Sequence, residues 1–147
     1  MKLQQLERMQ KIVIDTNVIV SALIQKNYPF LIIDELFFEN KIQLCISEEL
    51  MQEYFEVLSR PKFARYSNFV SNGESILVEI GSRAEIYKPK IKLDIISDQD
   101  DNKILELADE SKADFIITGN TNDFKFAKYK NTKIVTPKEY WENYRPK

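Results

Sequence analysis

The chain comprises 147 residues with a mass of 17.3 kDa, a size typical of one globular domain. With 44% hydrophobic and 30% charged residues but only three glycines and five prolines, its composition excludes disordered and collagen-like proteins. The absence of histidine excludes a histidine-based catalytic triad, a histidine-ligated zinc site and a histidine pH switch. Any acid, base or ligand must therefore be a carboxylate, a lysine or a tyrosine.

The net charge of −2 is unevenly distributed along the chain. Residues 1–59, 60–92, 93–123 and 124–147 carry net charges of −4, +4, −7 and +5. On charge alone, solvated faces are the simpler interpretation. The same blocks are also compatible with an acidic pocket rimmed by positive charge, which would suit a metal-dependent enzyme acting on a polyanion.

The predicted elements alternate between strands and helices. Short runs dominated by β-branched residues predict buried strands at 11–15, 42–46, 114–118 and 133–136. Helical periodicity predicts helices at 29–38, 48–58, 74–84, 102–111 and 137–144. Ser47 as an N-cap and a capping box formed by Thr136 and Glu139 mark two helix starts. The alternation predicts a three-layer α/β/α fold, in which a central, mainly parallel sheet is flanked by helices.

No repeat or linker interrupts this pattern, so residues 1–147 are predicted to form one domain with residues 1–10 as an N-terminal extension. Cys45 lies within an apolar run and is predicted to be a core residue rather than a reactive thiol. No segment approaches the roughly 18 apolar residues of a membrane span, and the N-terminus lacks the apolar core of a signal peptide. A cytoplasmic location is therefore expected.

Three aspartates stand where this fold would bring polar side chains together. Asp15 ends the first strand, Asp123 follows the strand at 114–118, and Asp101 lies at the start of a helix, on the same face as the apolar Leu105. The carboxyl ends of parallel strands meet at one edge of the sheet, where working sites lie. These residues are therefore candidates for a shared acidic site.

Each candidate also has an ordinary structural interpretation. Asp15 could be a turn residue or a helix N-cap, and the acidic residues at 98–101 could complement a helix dipole. In the helix at 48–58, whose apolar face is predicted to include Phe55, Glu53 lies nearer the border of that face than the other glutamates. A surface position is nevertheless the default interpretation of a glutamate.

Several carboxylates brought together would repel one another unless a cation neutralised them. Ligand sets made only of oxygen favour Mg²⁺ or Mn²⁺ over zinc or copper. The sequence therefore indicates a candidate site for a hard divalent cation.

The order and spacing of these segments resemble the PIN-domain family of nucleases, and especially the VapC-type toxin components of toxin–antitoxin pairs. The resemblance extends from residue 11 to about residue 144. The segments that carry it are IVIDTNVIVSAL at 12–23, SEELMQEYFEVLSRPKF at 47–63, DQDDNKILELADESKADFIITGN at 98–120, NDF at 122–124 and KIVTPKEYW at 133–141.

The resemblance implies a set of site residues. The acidic ligands and catalytic residues of the family would fall on Asp15, Glu53, Asp101 and Asp123, accompanied by Asp98 as a further metal ligand. Its polar residues at the strand ends would be Thr16, Asn17, Thr118 and Asn120. Some relatives carry aspartate where this chain has Asn120. A PIN-like α/β/α fold and one or two Mg²⁺ or Mn²⁺ ions are implied with them.

The implied function is a metal-dependent endoribonuclease, the toxin of a toxin–antitoxin pair, which hydrolyses RNA with a metal-activated water. Its expected partners are RNA, an antitoxin protein and a second copy of the chain. Basic residues that would follow the RNA backbone are Arg60, Lys62, Arg65, Lys125 and Lys128. Aromatic residues that would stack on bases are Tyr66, Phe69, Phe126 and Tyr129. Solubility and core packing are the ordinary roles of these residue types.

Two other functions fit the same residues. An RNA-binding or protein-interaction PIN domain with little turnover would show metal affinity without cleavage. A phosphoryl-transfer domain of receiver or haloacid dehalogenase type also gathers acidic residues at strand ends, although the segment after Asp15 lacks the second aspartate of a dehalogenase nucleophile motif. The apolar helix at 29–38 is interpreted either as a core helix or as a docking or dimer surface.

Overall fold

The computed structural model describes residues 9–124 and 126–147. Six strands form one sheet: β1 (Lys11–Ile14), β2 (Gln43–Ser47), β3 (Glu85–Tyr87), β4 (Phe115–Ile117), β5 (Lys128–Tyr129) and β6 (Thr132–Val135). Their order across the sheet is β3-β2-β1-β4-β6-β5. All neighbouring pairs are parallel except β5 and β6, which are antiparallel. A mainly parallel sheet was predicted, and it is confirmed.

The helices connect these strands. They are α1 (Thr16–Ile24), α2 (Tyr28–Leu31), α3 (Glu48–Leu58), α4 (Phe69–Arg83), α5 (Gln99–Ser111) and α6 (Pro137–Asn143), with a π-helix over Ile32–Phe37 and 3₁₀ turns at Pro61–Phe63 and Thr121–Asp123. Helix α5 packs across β1 to β4, whereas α3 and α4 pack on β2. Right-handed crossovers place these helices on opposite faces, which gives the three-layer α/β/α arrangement. In the described part of the chain, no helix is long and apolar enough to cross a membrane.

The central strands owe their stability to burial on both faces. Ile12 and Val13 of β1 and Ile116 and Ile117 of β4 are completely buried. Because both faces of these strands are covered by helices, their sequences are continuous apolar runs rather than alternating ones. This burial explains why the two strands that carry the candidate site were predictable.

Several elements differ from the prediction. Helix α1 was not predicted, because the sequence TNVIVSALI is rich in β-branched residues that favour strands. The edge strands β3 and β5 were also missed; they are only three and two residues long, and none of their side chains is fully buried. Helix α4 begins at Phe69, five residues before the predicted start at Glu74.

The apolar segment predicted as one helix at 29–38 is α2 followed by the π-helix. Four of its apolar side chains are buried in the core: Ile32, Ile33, Leu36 and Phe37. Of the two interpretations of this segment, the core helix is the one that fits these four residues. A separate correction concerns α3, where Phe55 is 64% exposed although it was assigned to the apolar face, while Val57 is buried.

Cys45 is 1% exposed and lies in the core, as predicted. Burial raises the pKa of its thiol from 9.0 to about 11. We therefore expect no reaction with a thiol reagent at pH 8 until the protein is unfolded, as measured by absorbance with and without denaturant. Rapid modification of the native protein would contradict this prediction.

The raised pKa of Cys45 also affects stability. The thiolate is disfavoured only in the folded state, so the folded protein should lose stability as the pH rises above 9.0.

Candidate active site

The site is built at the carboxyl edge of the sheet, where β1, β4 and β6 end side by side. The N–H of Asp15, directly after β1, donates to the carbonyl oxygen of Ile117 at 2.9 Å. The N–H of Thr118, directly after β4, donates to the carbonyl oxygen of Val135 at 2.9 Å. These backbone bonds hold Asp15 and Thr118 next to each other, although 103 positions separate them in the chain.

A cavity of about 550 Å³ opens at this edge. It lies between the ends of the strands, helix α3 and the beginning of α5. Seven carboxylates line it, against two cations. The carboxylates are Asp15, Glu49, Glu53, Glu56, Asp98, Asp100 and Asp101, and the cations are Arg60 and Lys103. Of the residues predicted for the site, Thr16, Asn17 and Asn120 also line the cavity.

Two threonines hold carboxylates of the cavity in place. The hydroxyl of Thr118, which is completely buried, donates to Asp15 Oδ2 at 2.8 Å and accepts from the N–H of Asn120 at 3.1 Å. The hydroxyl of Thr16 donates to Glu53 Oε2. Both threonines were predicted as supporting residues, and these contacts describe the support that each provides.

Tyr54 connects the first strand to α3 and was not predicted as a site residue. It is completely buried, and its hydroxyl donates to the carbonyl oxygen of Ile14. Burial raises its pKa well above the ordinary value, and the nearby carboxylates of Asp15 and Glu53 raise it further. The phenol therefore stays protonated and fixes the backbone just before Asp15. Nothing in the sequence distinguishes Tyr54 from an ordinary aromatic residue of the core.

The start of α5 supplies the aspartates on the opposite wall. Asp98 is the N-cap, and its carboxylate accepts from the N–H of Asp100 at 2.9 Å. Asp101 is 8% exposed and lies on the buried face of the helix with Ile104 and Leu105, as the helical periodicity predicted. Asp98 therefore has a structural role at the helix terminus as well as a place in the cavity wall.

The surroundings of Glu53 disfavour the charged form of its carboxyl group. Its pKa is raised, mainly by burial and further by the negative charges of Asp100 and Asp15. The hydrogen bond from Thr16 and the positive charge of Lys103 oppose this shift. The balance shows that the cavity disfavours a further negative charge in the absence of a cation.

The donor set can be compared with what a metal would require. Among the side chains that the structure describes, which leave out that of Asp123, no three carboxylates lie close enough together to form a ready-made metal group. The polar donors lining the cavity are nevertheless dominated by oxygen atoms, which suit Mg²⁺ or Mn²⁺. A divalent cation would also relieve the repulsion from Asp100 and Asp15, which adds to the effect of burial on the pKa of Glu53. In donor type and charge, the residues fit a hard cation.

The fourth predicted ligand is only partly described. The backbone of Asp123 ends the 3₁₀ turn that follows β4, and the position of its side chain is outside what the structure describes. Lys125, predicted to contact RNA, lies outside the described residues. Asp100 and Lys103 were not predicted; nothing in the sequence distinguishes them from charged residues on a helix surface.

Of the four predicted RNA-binding residues that the structure describes, Arg60 alone lines the cavity. Arg60 lines the cavity, and its Nη2 lies 3.7 Å from Glu56 Oε1. Lys62 and Arg65 lie over the rings of the aromatic residues that follow them, at 5.1 and 5.0 Å, and do not line the cavity. Lys128 is on β5, opposite the beginning of β6, away from the cavity.

The prediction that Phe69 stacks on bases is wrong, because this side chain is buried. Phe69 is completely enclosed and stacks on Phe63, with ring centroids 5.0 Å apart. The side chain is the first buried residue of α4 and packs among neighbouring aromatic rings. It is not available to a base.

Comparisons with known proteins agree with this architecture. A model of the PIN-domain family matches residues 11–122. An uncharacterized protein of Methanocaldococcus jannaschii, MJ1680, is 37% identical over 153 residues, and the alignment covers 97% of each protein. A chain in the crystal structure of VapBC2 from Rickettsia felis, bound to a DNA fragment from their promoter, superposes with a TM-score of 0.57. That match covers 86% of this chain and 98% of the other, and its 18% identity supports the fold alone. The chain belongs to the PIN-domain family.

Proposed function

We propose that this chain is a metal-dependent endoribonuclease that hydrolyses phosphodiester bonds in RNA. The observation that carries the proposal is the acidic cavity, to which three separate elements bring Asp15, Glu53 and Asp101. Membership of the PIN-domain family, whose members are generally nucleases, supports the same reaction. The absence of histidine agrees with a mechanism that needs no imidazole.

In this proposal the carboxylates of the cavity hold the cation. Asp15, Glu53, Asp101 and Asp98 are the proposed ligands, and Asp123 completes the set or orients the nucleophile. Bound Mg²⁺ or Mn²⁺ would polarise the scissile phosphate and lower the pKa of a water molecule. The threonine hydroxyls keep the carboxylate oxygens directed into the cavity, as outer hydrogen-bond partners do in metal sites.

Charge explains why a cation is needed before RNA can enter. Seven carboxylates against two cations would repel a phosphate from the metal-free cavity. Arg60 and Lys103 are placed in its wall to contact the RNA backbone beside the scissile bond. Lys62, Arg65, Lys125 and Lys128 would bind the RNA strand farther away.

The finer part of the proposal is a toxin that an antitoxin protein holds inactive in the cytoplasm. Its support is the fold shared with a chain of the VapBC2 structure from Rickettsia felis. A toxin of this kind would be a single domain over residues 1–147, with an antitoxin and a second copy of itself as protein partners. Co-expression with the product of a neighbouring gene, followed by copurification, tests this part separately.

The test of the nuclease is degradation of a mixed single-stranded RNA panel with Mg²⁺, with Mn²⁺ and with chelator. The matched variant is Asp15→Asn, which keeps an oxygen to accept the Thr118 hydrogen bond. We expect cleavage that requires metal and is lost in the variant, which also controls for contaminating ribonuclease. A folded wild-type protein that binds Mn²⁺ but cleaves no RNA in the panel would instead support an RNA-binding or protein-interaction PIN domain.

A further inference from the structure

Helix α5 holds an extended segment of the chain against its side. Three of its side chains, spaced four residues apart and so on one face, accept hydrogen bonds from backbone N–H groups of residues 90–96. The pairs are Lys90 with Glu110 at 3.3 Å, Leu93 with Glu106 at 2.7 Å, and Ile95 and Ile96 with Asn102 at 3.1 and 3.0 Å. This segment leads directly into the aspartates at the start of α5.

Asn102 is the member of this row nearest the cavity. Its side chain is 0% exposed and makes three hydrogen bonds to the segment. Its Oδ1 accepts from the N–H groups of Ile95 and Ile96, and its Nδ2 donates to the carbonyl oxygen of Ile96 at 2.6 Å. Its own N–H donates to the carbonyl oxygen of Asp98 at 3.2 Å. The side chain of Asn102 therefore ties residues 95 and 96 to the first turn of α5, and the backbone of the same residue bonds Asp98.

Burial of an amide at this position has an energetic cost that an apolar residue would avoid. The buried side chains of α5 include the apolar Ile104, Leu105, Leu107 and Ala108. Leucine has the same number of side-chain heavy atoms as asparagine, with the same branching, and would add no polar group to be buried. The backbone N–H and C=O groups of residues 95 and 96 have no partner strand. The three bonds from Asn102 satisfy three of these groups and so offset the cost of burying the amide. The Asn102 side chain therefore fixes the backbone conformation of this segment, and it is not needed to pack α5 against the sheet.

We propose that Asn102 is a positioning residue of the acidic site, which keeps Asp98 and Asp101 directed into the cavity by fixing residues 95 and 96, just before the start of α5, against that helix. This inference rests on the proposed metal-dependent function. Asn102 itself does not line the cavity, so it acts through its neighbours and not on the substrate.

The test compares Asn102→Leu and Asn102→Ser with the wild-type protein and with Thr132→Val. Leucine removes all three bonds while it keeps the branched shape of asparagine. Serine also removes them but leaves space in which a water molecule can bond the freed backbone groups, so it is the milder change. Thr132 is the matched control, because its buried hydroxyl also bonds a backbone carbonyl, that of Ala113 at 2.6 Å, but at the opposite edge of the sheet. Mn²⁺ affinity is measured by titration calorimetry below the melting temperature of every variant, and kcat and KM for RNA are measured at saturating Mn²⁺.

We expect Asn102→Leu to bind Mn²⁺ at least about 10-fold more weakly and Asn102→Ser to show a smaller loss in the same direction. In both, kcat should fall while KM for RNA changes little, and Thr132→Val should lose only thermal stability. Faster hydrogen exchange at the amides of Ile95 and Ile96 should accompany the loss of affinity.

The proposal is overturned if those amides exchange faster while Mn²⁺ affinity and kcat equal those of Thr132→Val, because the role of Asn102 would then be structural only. If Asn102→Leu does not fold, the same comparison with Asn102→Ser decides the matter. A wild-type protein that binds no Mn²⁺ would instead overturn the proposed function, and this inference with it.

Discussion

Glu53→Gln is expected to make the metal-free protein more stable while it removes most of the activity. The raised pKa of Glu53 means that its ionised form is less favourable in the folded chain than in the unfolded one. Glutamine removes the charge that burial, Asp100 and Asp15 oppose, and its amide oxygen still accepts the hydrogen bond from Thr16. We therefore expect a higher Tm in chelator and, if Glu53 is a metal ligand, RNA cleavage reduced at least about 100-fold.

The stability gain should depend on pH with a defined sign. At a pH where the Glu53 carboxyl is protonated, wild type and variant both lack the charge, and their Tm values should agree closely. As the pH rises through the ordinary glutamate pKa of 4.5, wild type should lose stability relative to the variant. Thermal melts in chelator from pH 4 to pH 8 measure this difference.

Glu48→Gln is the matched control on the same helix. Glu48 is exposed, does not line the cavity, and lies in the first turn of α3, where its charge is favourable to the helix dipole. This variant should keep full activity and show a small decrease in Tm. A decrease in Tm for Glu53→Gln as well would show that its carboxylate stabilises the metal-free fold, contrary to our expectation.

The features that could be predicted correctly from the sequence are those that depend on burial. The strands that become β1 and β4 are covered on both faces, so each appears as a short apolar run, and the polar residue that follows it marks the carboxyl edge. Asp101 was predictable for a related reason, since a carboxylate on the apolar face of a helix is conspicuous. These two patterns locate Asp15 and Asp101 on the cavity from spacing alone.

What the sequence did not predict depends on contacts between distant segments. Tyr54 and Asn102 each look ordinary in the chain, a core aromatic and a polar helix residue, and acquire their role only by bonding backbone groups at Ile14 and Ile96. Lys103 is similar, because a lysine on a helix is a surface residue until the cavity wall is known. Local periodicity carries no information about these pairings.

Thr118→Val is expected to lower both stability and cleavage, because one hydroxyl serves both. It donates to Asp15 Oδ2 at 2.8 Å and accepts from the N–H of Asn120 at 3.1 Å, in a completely buried position. Valine has nearly the same shape, so packing is kept while both bonds are lost. We expect the free energy of unfolding to fall by about 1–3 kcal/mol, the usual cost of leaving buried polar groups without a partner.

Asp15 loses one of the bonds that orient it, so cleavage should fall by about 10- to 100-fold, as happens when an outer partner of a metal ligand is removed. Thr132→Val separates this effect from lost stability, since its hydroxyl is buried at the amino edge of the sheet and bonds only a carbonyl oxygen. It should unfold at a similarly lowered denaturant concentration and yet cleave RNA at the wild-type rate. Equal activity of the two variants would show that the Thr118 hydroxyl supports the fold and does not orient Asp15 for the reaction.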